Sequence, residues 1–265
     1  MPERSLTLRE SVQVLGKHHG PPKPLPIADP FELVLWENVA YLAPPARRRE
    51  AFGELKRTIG TTPAAILAAR PQVLQRIAAR GILAGTSAEK LRECAEIAVE
   101  KFGGDLAAVV RGPTDAAKRA LRSFPGIGEP GAEKILLFSG RAALLAPDSN
   151  ALRVLVRLGL VREEKSYART YAASREVAKT LPADPRAMQR AHLLLQLHGQ
   201  TLCKRSAPSC DECPLELRCA YAKASAGGAA SSGAAQEPPR PAKPRRTAAN
   251  QPAPRKRPAP GRDDP

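Results

Sequence analysis

Four cysteines, Cys203, Cys210, Cys213 and Cys219, stand at the spacing C-x6-C-x2-C-x5-C within CKRSAPSCDECPLELRC. Thiolates this close in sequence can converge on one inorganic centre, and a set of four meets the ligand demand of a [4Fe-4S] cluster or of a structural zinc ion. Upstream, Phe124-Pro125-Gly126-Ile127-Gly128 joins the stretches DAAKRALRSF and GAEKILLFSG. Two glycines two residues apart allow a tight turn that exposes backbone N–H groups beside a helix N-terminus, a geometry suited to a phosphate oxygen. Any tight helix–helix turn could use the same residues. Between hairpin and cysteines lies Pro147-Asp148-Ser149-Asn150, where Asp148 or Ser149 would cap the helix ALRVLVRLGL.

The elements that must hold these residues are helical. AAILAARPQVLQRIAARGI, AEKLRECAEIAVEKFGG, DAAKRALRSF, AEKILLFSGRAALL, ALRVLVRLGLV and RAMQRAHLLLQLHG repeat apolar residues at three- and four-residue spacing. Strand signals are weak, so the expectation is an all-α protein of about ten helices. From Lys223 to Pro265 the chain turns to Ala, Pro, Gly, Ser, Arg and Lys, with nine basic and three acidic residues and no aromatic. Such a stretch buries too little apolar surface to offset its ordering entropy and is expected to be disordered. It would serve either as a solvated linker or as a non-specific nucleic-acid tether.

The chain has 265 residues, 42 basic against 26 acidic, for a formal charge of +16. That imbalance favours polyanionic partners. The amino terminus lacks the apolar core of a secretory signal, and no apolar run approaches the roughly 18 residues needed to span a bilayer. A cytosolic address, no membrane partner and reduced cysteines are therefore expected, which favours metal ligation for the four clustered cysteines. Cys94, alone in KLRECAEIA, reads as a small buried residue of a helix.

Taken together, hairpin, aspartate and cysteines resemble the endonuclease III branch of the helix-hairpin-helix (HhH-GPD) DNA glycosylases, over about Pro30 to Cys219. FPGIG is similar to that family's LPGVG, PDSNALRV to its V-D-T-H-x-x-R-V, and LHGQTLC to the LHG helix leading into its cluster. The 6-2-5 cysteine spacing also matches. The resemblance implies a two-lobed fold: an N-terminal segment (1–30) packed on the cluster domain, a six-helix barrel with the hairpin (31–144), a cluster domain (145–222) and the tail (223–265). It implies a [4Fe-4S] cofactor on the four cysteines and double-stranded DNA with damaged or mismatched bases as partner, bound by a monomer at the nucleoid. It further implies a cleft in which a flipped nucleotide is processed. Pro125, Gly126, Ile127 and Gly128 would contact the DNA backbone, as would Lys204 and Arg205 in the first cysteine loop.

Carried over position by position, Asp148 falls where the family has its catalytic aspartate, which stabilises the sugar cation or orients water. In PFELVLWENVAYLAPP, Glu37 falls where adenine-mismatch glycosylases carry a proton-donating glutamate. A glutamate in so apolar a stretch is costly to bury without purpose, unless it reaches the exposed face. Tyr41 or Leu42 would wedge into the stack left by the flipped base, and Pro44-Pro45 would end the helix early. Trp36 reads as core and His198 as a packing or hydrogen-bonding residue. One departure bears on the chemistry. Lyase-type members carry a lysine two residues after the last hairpin glycine, and here that position is Pro130, which has no amine. Lys134, one helical turn on, reads as a phosphate contact or solvent-facing residue and only in principle as a substitute. The expected activity is monofunctional base removal. The alternatives are a bifunctional glycosylase/AP lyase and a non-catalytic DNA-binding iron–sulfur relative.

Overall fold

Proline and short polar side chains start most of the helices. Asp29 accepts from the N–H groups of Phe31 and Glu32, with Pro30 in the first turn, and so opens a helix whose next residues are almost all apolar. The structure, a computed structural model, describes residues 5–40, 43–81 and 84–227. Among these it is all-α, with α1 (Leu8–His19), α2 (Pro30–Val39), α3 (Pro45–Thr58), α4 (Pro63–Ala68), α5 (Pro71–Ala78), α6 (Ala84–Phe102) and α7 (Leu106–Val110). There follow α8 (Thr114–Leu121), α9 (Glu129–Phe138), α10 (Ser149–Arg157), α11 (Tyr167–Ala178), α12 (Pro185–Thr201) and α13 (Ala220–Gly227), with a 3-10 turn at Glu216–Arg218. No described helix is long and apolar enough to cross a membrane.

Helices outnumber the expected ten because proline divides what the apolar spacing joined. AAILAARPQVLQRIAARGI forms α4 and α5, since Arg70 is held extended (ψ 131°) ahead of Pro71. Likewise α2 stops at Val39, and Pro45 begins α3 rather than merely ending its predecessor. Tyr41 and Leu42, read as wedge residues, lie outside the described residues. At the other end α13 runs through Lys223 to Gly227, past the residue where the tail was expected to start. The remainder of that tail also lies outside the described residues.

Helix α2 is buried on nearly every side and packs on α3, α6, α7 and α9. A second group forms where α12 lies along α10, with α1 packed on α12 and with α11 and α13 against α10. Gly199 permits the α10–α12 approach, because a Cβ there would sit 2.7 Å from the Asn150 carbonyl oxygen. Helix α9 touches both α2 and α12 and so fixes one group against the other. It is anchored by ion pairs. Lys118 of α8 reaches Glu129 (2.5 Å) and Glu133 (3.1 Å), and Arg175 of α11 reaches the same two carboxylates (3.1 and 2.8 Å). The Tyr171 hydroxyl donates to Glu133 at 2.6 Å. Trp36 is 8% exposed and meets Phe52 edge-on at 5.5 Å, a core position. Cys94 is fully buried on α6.

Candidate active site

Asp148 caps α10, as its position before an amphipathic helix requires. Its Oδ1 accepts from the N–H groups of Asn150 (3.0 Å) and Ala151 (2.8 Å). Capping does not exhaust the carboxylate, for Oδ2 accepts a 2.6 Å hydrogen bond from Gln196 Nε2 of α12. The approach to Asp148 is itself constrained. Ala146 is buried with φ +44°, a conformation uncommon for a residue with a side chain. Its carbonyl lies 2.9 Å from His192 Nδ1. A carbonyl only accepts, so Nδ1 carries the ring proton. Burial lowers the His192 pKa. Burial also works against charge on Asp148, but the His192 ring, the Gln196 amide, the Ala151 N–H and the Lys134 ammonium outweigh it and hold the carboxyl below its ordinary range.

Glu37 and Lys134 meet across the cleft from Asp148. Glu37 projects from α2 and Lys134 from α9, and they form a 2.7 Å ion pair with side chains 17% and 21% exposed. Lys134, read as a phosphate contact or a solvent-facing residue, has its side chain turned onto Glu37 within the cleft. A cleft of about 970 Å³ takes in Glu37, Lys134, Asp148, His192 and Gln196, with Trp36 and Arg48 on one wall and the Pro21–Pro26 strap at its edge. Arg48 lies 6.0 Å from the Trp36 ring, and its buried Nε has no hydrogen-bond partner. Five residues from four elements thus share one solvent-filled space. Gln196 was missed by sequence reasoning. Its only signal was a lone amide in the leucine run LLLQL, one helical turn after His192.

The hairpin forms beside this cleft. Gly126 adopts φ +75°, and a Cβ on it would stand 2.9 Å from Asn38 Oδ1, so glycine is required on two counts. Gly128 caps α9 without any side-chain hydrogen bond, which leaves first-turn N–H groups for an acceptor. Ile127, expected among the DNA-contacting residues, is 5% exposed and spends its N–H on the Phe124 carbonyl, which closes the turn. Pro130 occupies the first turn of α9.

The four cysteines line one cavity, together with Val154, Leu158, Leu202 and His198, and none forms a disulfide. Burial pushes the Cys213 thiol up to about 11, the Leu215 amide opposing and the other three cysteines adding to the rise. Four thiolates there therefore call for a bound positive charge. Among the described residues no group of three or more His, Cys, Asp or Glu side chains is placed to hold a single metal ion. His198 is 1% exposed and bridges His19 (3.2 Å) and Cys213 (3.5 Å). Lys204 and Arg205 are exposed, and their backbone is pinned. Arg157 donates to both carbonyls (2.6 and 3.0 Å) while lying over Tyr221, and Arg153 donates to the Cys203 carbonyl. Neither arginine was singled out from sequence, because each acts on a loop some fifty residues away.

The chain is 30% identical to endonuclease III of Treponema pallidum over 162 residues, 61% of this chain and 70% of that protein. It is also 30% identical to endonuclease III of Rickettsia conorii over 103 residues, 39% of this chain, and spans 46% of that protein's length. The fold matches a non-covalent endonuclease III–DNA complex with a TM-score of 0.68 and 20% identity, covering 84% of this chain and 99% of that one. No family model matches the chain.

Proposed function

Because the chain belongs to the endonuclease III family, we propose that it is a DNA glycosylase of base-excision repair. It takes a damaged or mismatched base, flipped from double-stranded DNA, into the cleft and hydrolyses the N-glycosidic bond. The observation that carries this reading is the convergence of Asp148, Glu37 and Lys134 on one cleft from α10, α2 and α9. As the C1′–N bond breaks, its electron pair leaves with the base, which takes a proton delivered through the Glu37 carboxyl from the Lys134 ammonium paired with it, and Lys134 regains that proton from solvent. Asp148 faces the developing sugar cation and accepts the proton of the water that adds at C1′. The lysine of lyase-type members is Pro130 here and Lys134 is engaged with Glu37, so hydrolysis is monofunctional and leaves an abasic site.

Within the turn Pro125–Gly128, the exposed N–H groups of Gly126 and Gly128 would seat a backbone phosphate, with Pro125 and Ile127 shaping the turn around it and Lys204 and Arg205 gripping the same duplex. Cys203, Cys210, Cys213 and Cys219 would hold a [4Fe-4S] cluster. A thiol-lined cavity whose sulfurs do not close on a single ion suits a cluster better than zinc. When bound, the cluster supplies rigid support for the loop bearing Lys204 and Arg205.

Base release from duplexes carrying uracil, thymine glycol, G·T and adenine opposite oxidised guanine tests the reading. Asp148→Asn is expected to lower turnover on the preferred duplex by about 10²–10³-fold while keeping duplex affinity. No release by the wild type from a broad panel would favour a non-catalytic DNA binder instead. The position of Lys134 inside the cleft supports one second reading, a glycosylase/AP lyase. Borohydride trapping separates the two: a covalent adduct lost in Lys134→Ala would establish the lyase.

A further inference from the structure

A carboxylate oxygen offers two in-plane acceptor positions. Both positions of Asp148 Oδ1 are filled by the Asn150 and Ala151 N–H groups, while Oδ2 spends one on Gln196 at 2.6 Å and keeps one. Gln196 stands in the wall of the cleft, where α12 also contributes His192, Leu193, Leu197 and Gln200, with Leu194 and Leu195 buried behind. Its amide is the α12 group that donates to this oxygen, the neighbouring His192 spending Nδ1 on the Ala146 carbonyl.

We infer that Gln196 is a positioning residue for Asp148: its amide fixes the rotation of the carboxylate so that the remaining acceptor position of Oδ2 faces the cleft, where the sugar and the attacking water would lie. The inference rests on the reading of Asp148 as the catalytic carboxylate. Other charged and titratable groups also face Asp148. They are His192 on α12, Lys134 on α9, Arg153 on α10 and Tyr167 on α11, with Glu37 on α2 acting on His192. None of these is altered by substituting Gln196, so the contribution of the amide can be read by itself.

The test is single-turnover base release against pH, on whichever of the four duplexes the wild type cleaves fastest. Gln196→Met keeps length and volume and removes the donor. Its expected rate is about 10–100-fold lower, the measure of a lost hydrogen bond to a charged group, with affinity for an abasic-site duplex unchanged. The acid limb of its profile should move to higher pH, because the anion of Asp148 has lost a donor. Gln196→Asn retains an amide but draws it back by one methylene, and it should show the same limb shift with a milder rate loss. That variant carries the test should Gln196→Met fail to fold. An unchanged rate overturns the inference. So does a fall that is uniform across pH, because packing alone would produce it. If the wild type releases no base from any duplex, or Asp148→Asn retains full activity, the reading of Asp148 has failed and the inference falls with it.

Discussion

Glu133 and Glu37 are both paired carboxylates beside α9, and they differ in how much of their bonding capacity is spent. Glu133 has a side chain 3% exposed and accepts from Lys118, Arg175 and the Tyr171 hydroxyl. Glu37, reaching α9 from α2, is 17% exposed and has Lys134 as its ion-pair partner, with a cleft open before it. A carboxylate this deeply buried and held from three directions ties helices together and presents no open face to a ligand. One with spare capacity facing solvent can trade its partner for a substrate. Glu133 and Lys134 are adjacent in the chain, so a single helix carries both arrangements, one holding α8 and α11 in place and the other presenting charge to the cleft.

The largest effect should come from the filled site. Glu133→Ala leaves the buried Tyr171 hydroxyl without its acceptor and Lys118 and Arg175 with Glu129 alone, and should cost about 3 kcal/mol. Urea denaturation reads this directly, and a loss under about 1 kcal/mol would erase the contrast between the two carboxylates. Glu37→Gln should do the reverse. Base release should fall by about 10²-fold, while stability changes by no more than about 1 kcal/mol. A variant that unfolds without a specific rate defect would make Glu37 a second structural carboxylate. The smallest effect lies at alkaline pH. Burial lowers the Lys118 pKa, but the hydrogen bonds its ammonium donates to Glu129 and Glu133 outweigh it and raise it above its ordinary 10.5. Its stabilising contribution is therefore complete below about pH 10.5 and is lost as pH rises through the folded value. In paired melts Lys118→Met should lack that alkaline component, whereas Lys134→Met should retain it.

What could be read in advance was what is local. The clustered cysteines, the hairpin glycines and the cap at Asp148 depend on a few neighbouring residues, and sequence spacing reports them. The all-α character followed from apolar periodicity, although that periodicity ran straight across Pro71, where the backbone of Arg70 could not remain helical. The cleft depends on distant pairings. Lys134 and Glu37 are 97 residues apart, and Gln196 and Asp148 are 48 apart. No local pattern states that an amide in a leucine run will meet a capping aspartate, or that a lysine in α9 will turn inward rather than outward. Those facts arise from α9 packing against both α2 and α12.

Glu37 and Asn38 are consecutive residues of α2, and they look in different directions. Glu37 enters the cleft, while Asn38 abuts Gly126 so closely that a Cβ added there would have to displace the Asn38 amide. The turn proposed to seat a phosphate and the group proposed to protonate the base are therefore mounted on one stiff bracket. On that proposal the helix would act as a gauge between strand backbone and reacting base, its far mark set for a nucleotide swung out of the duplex.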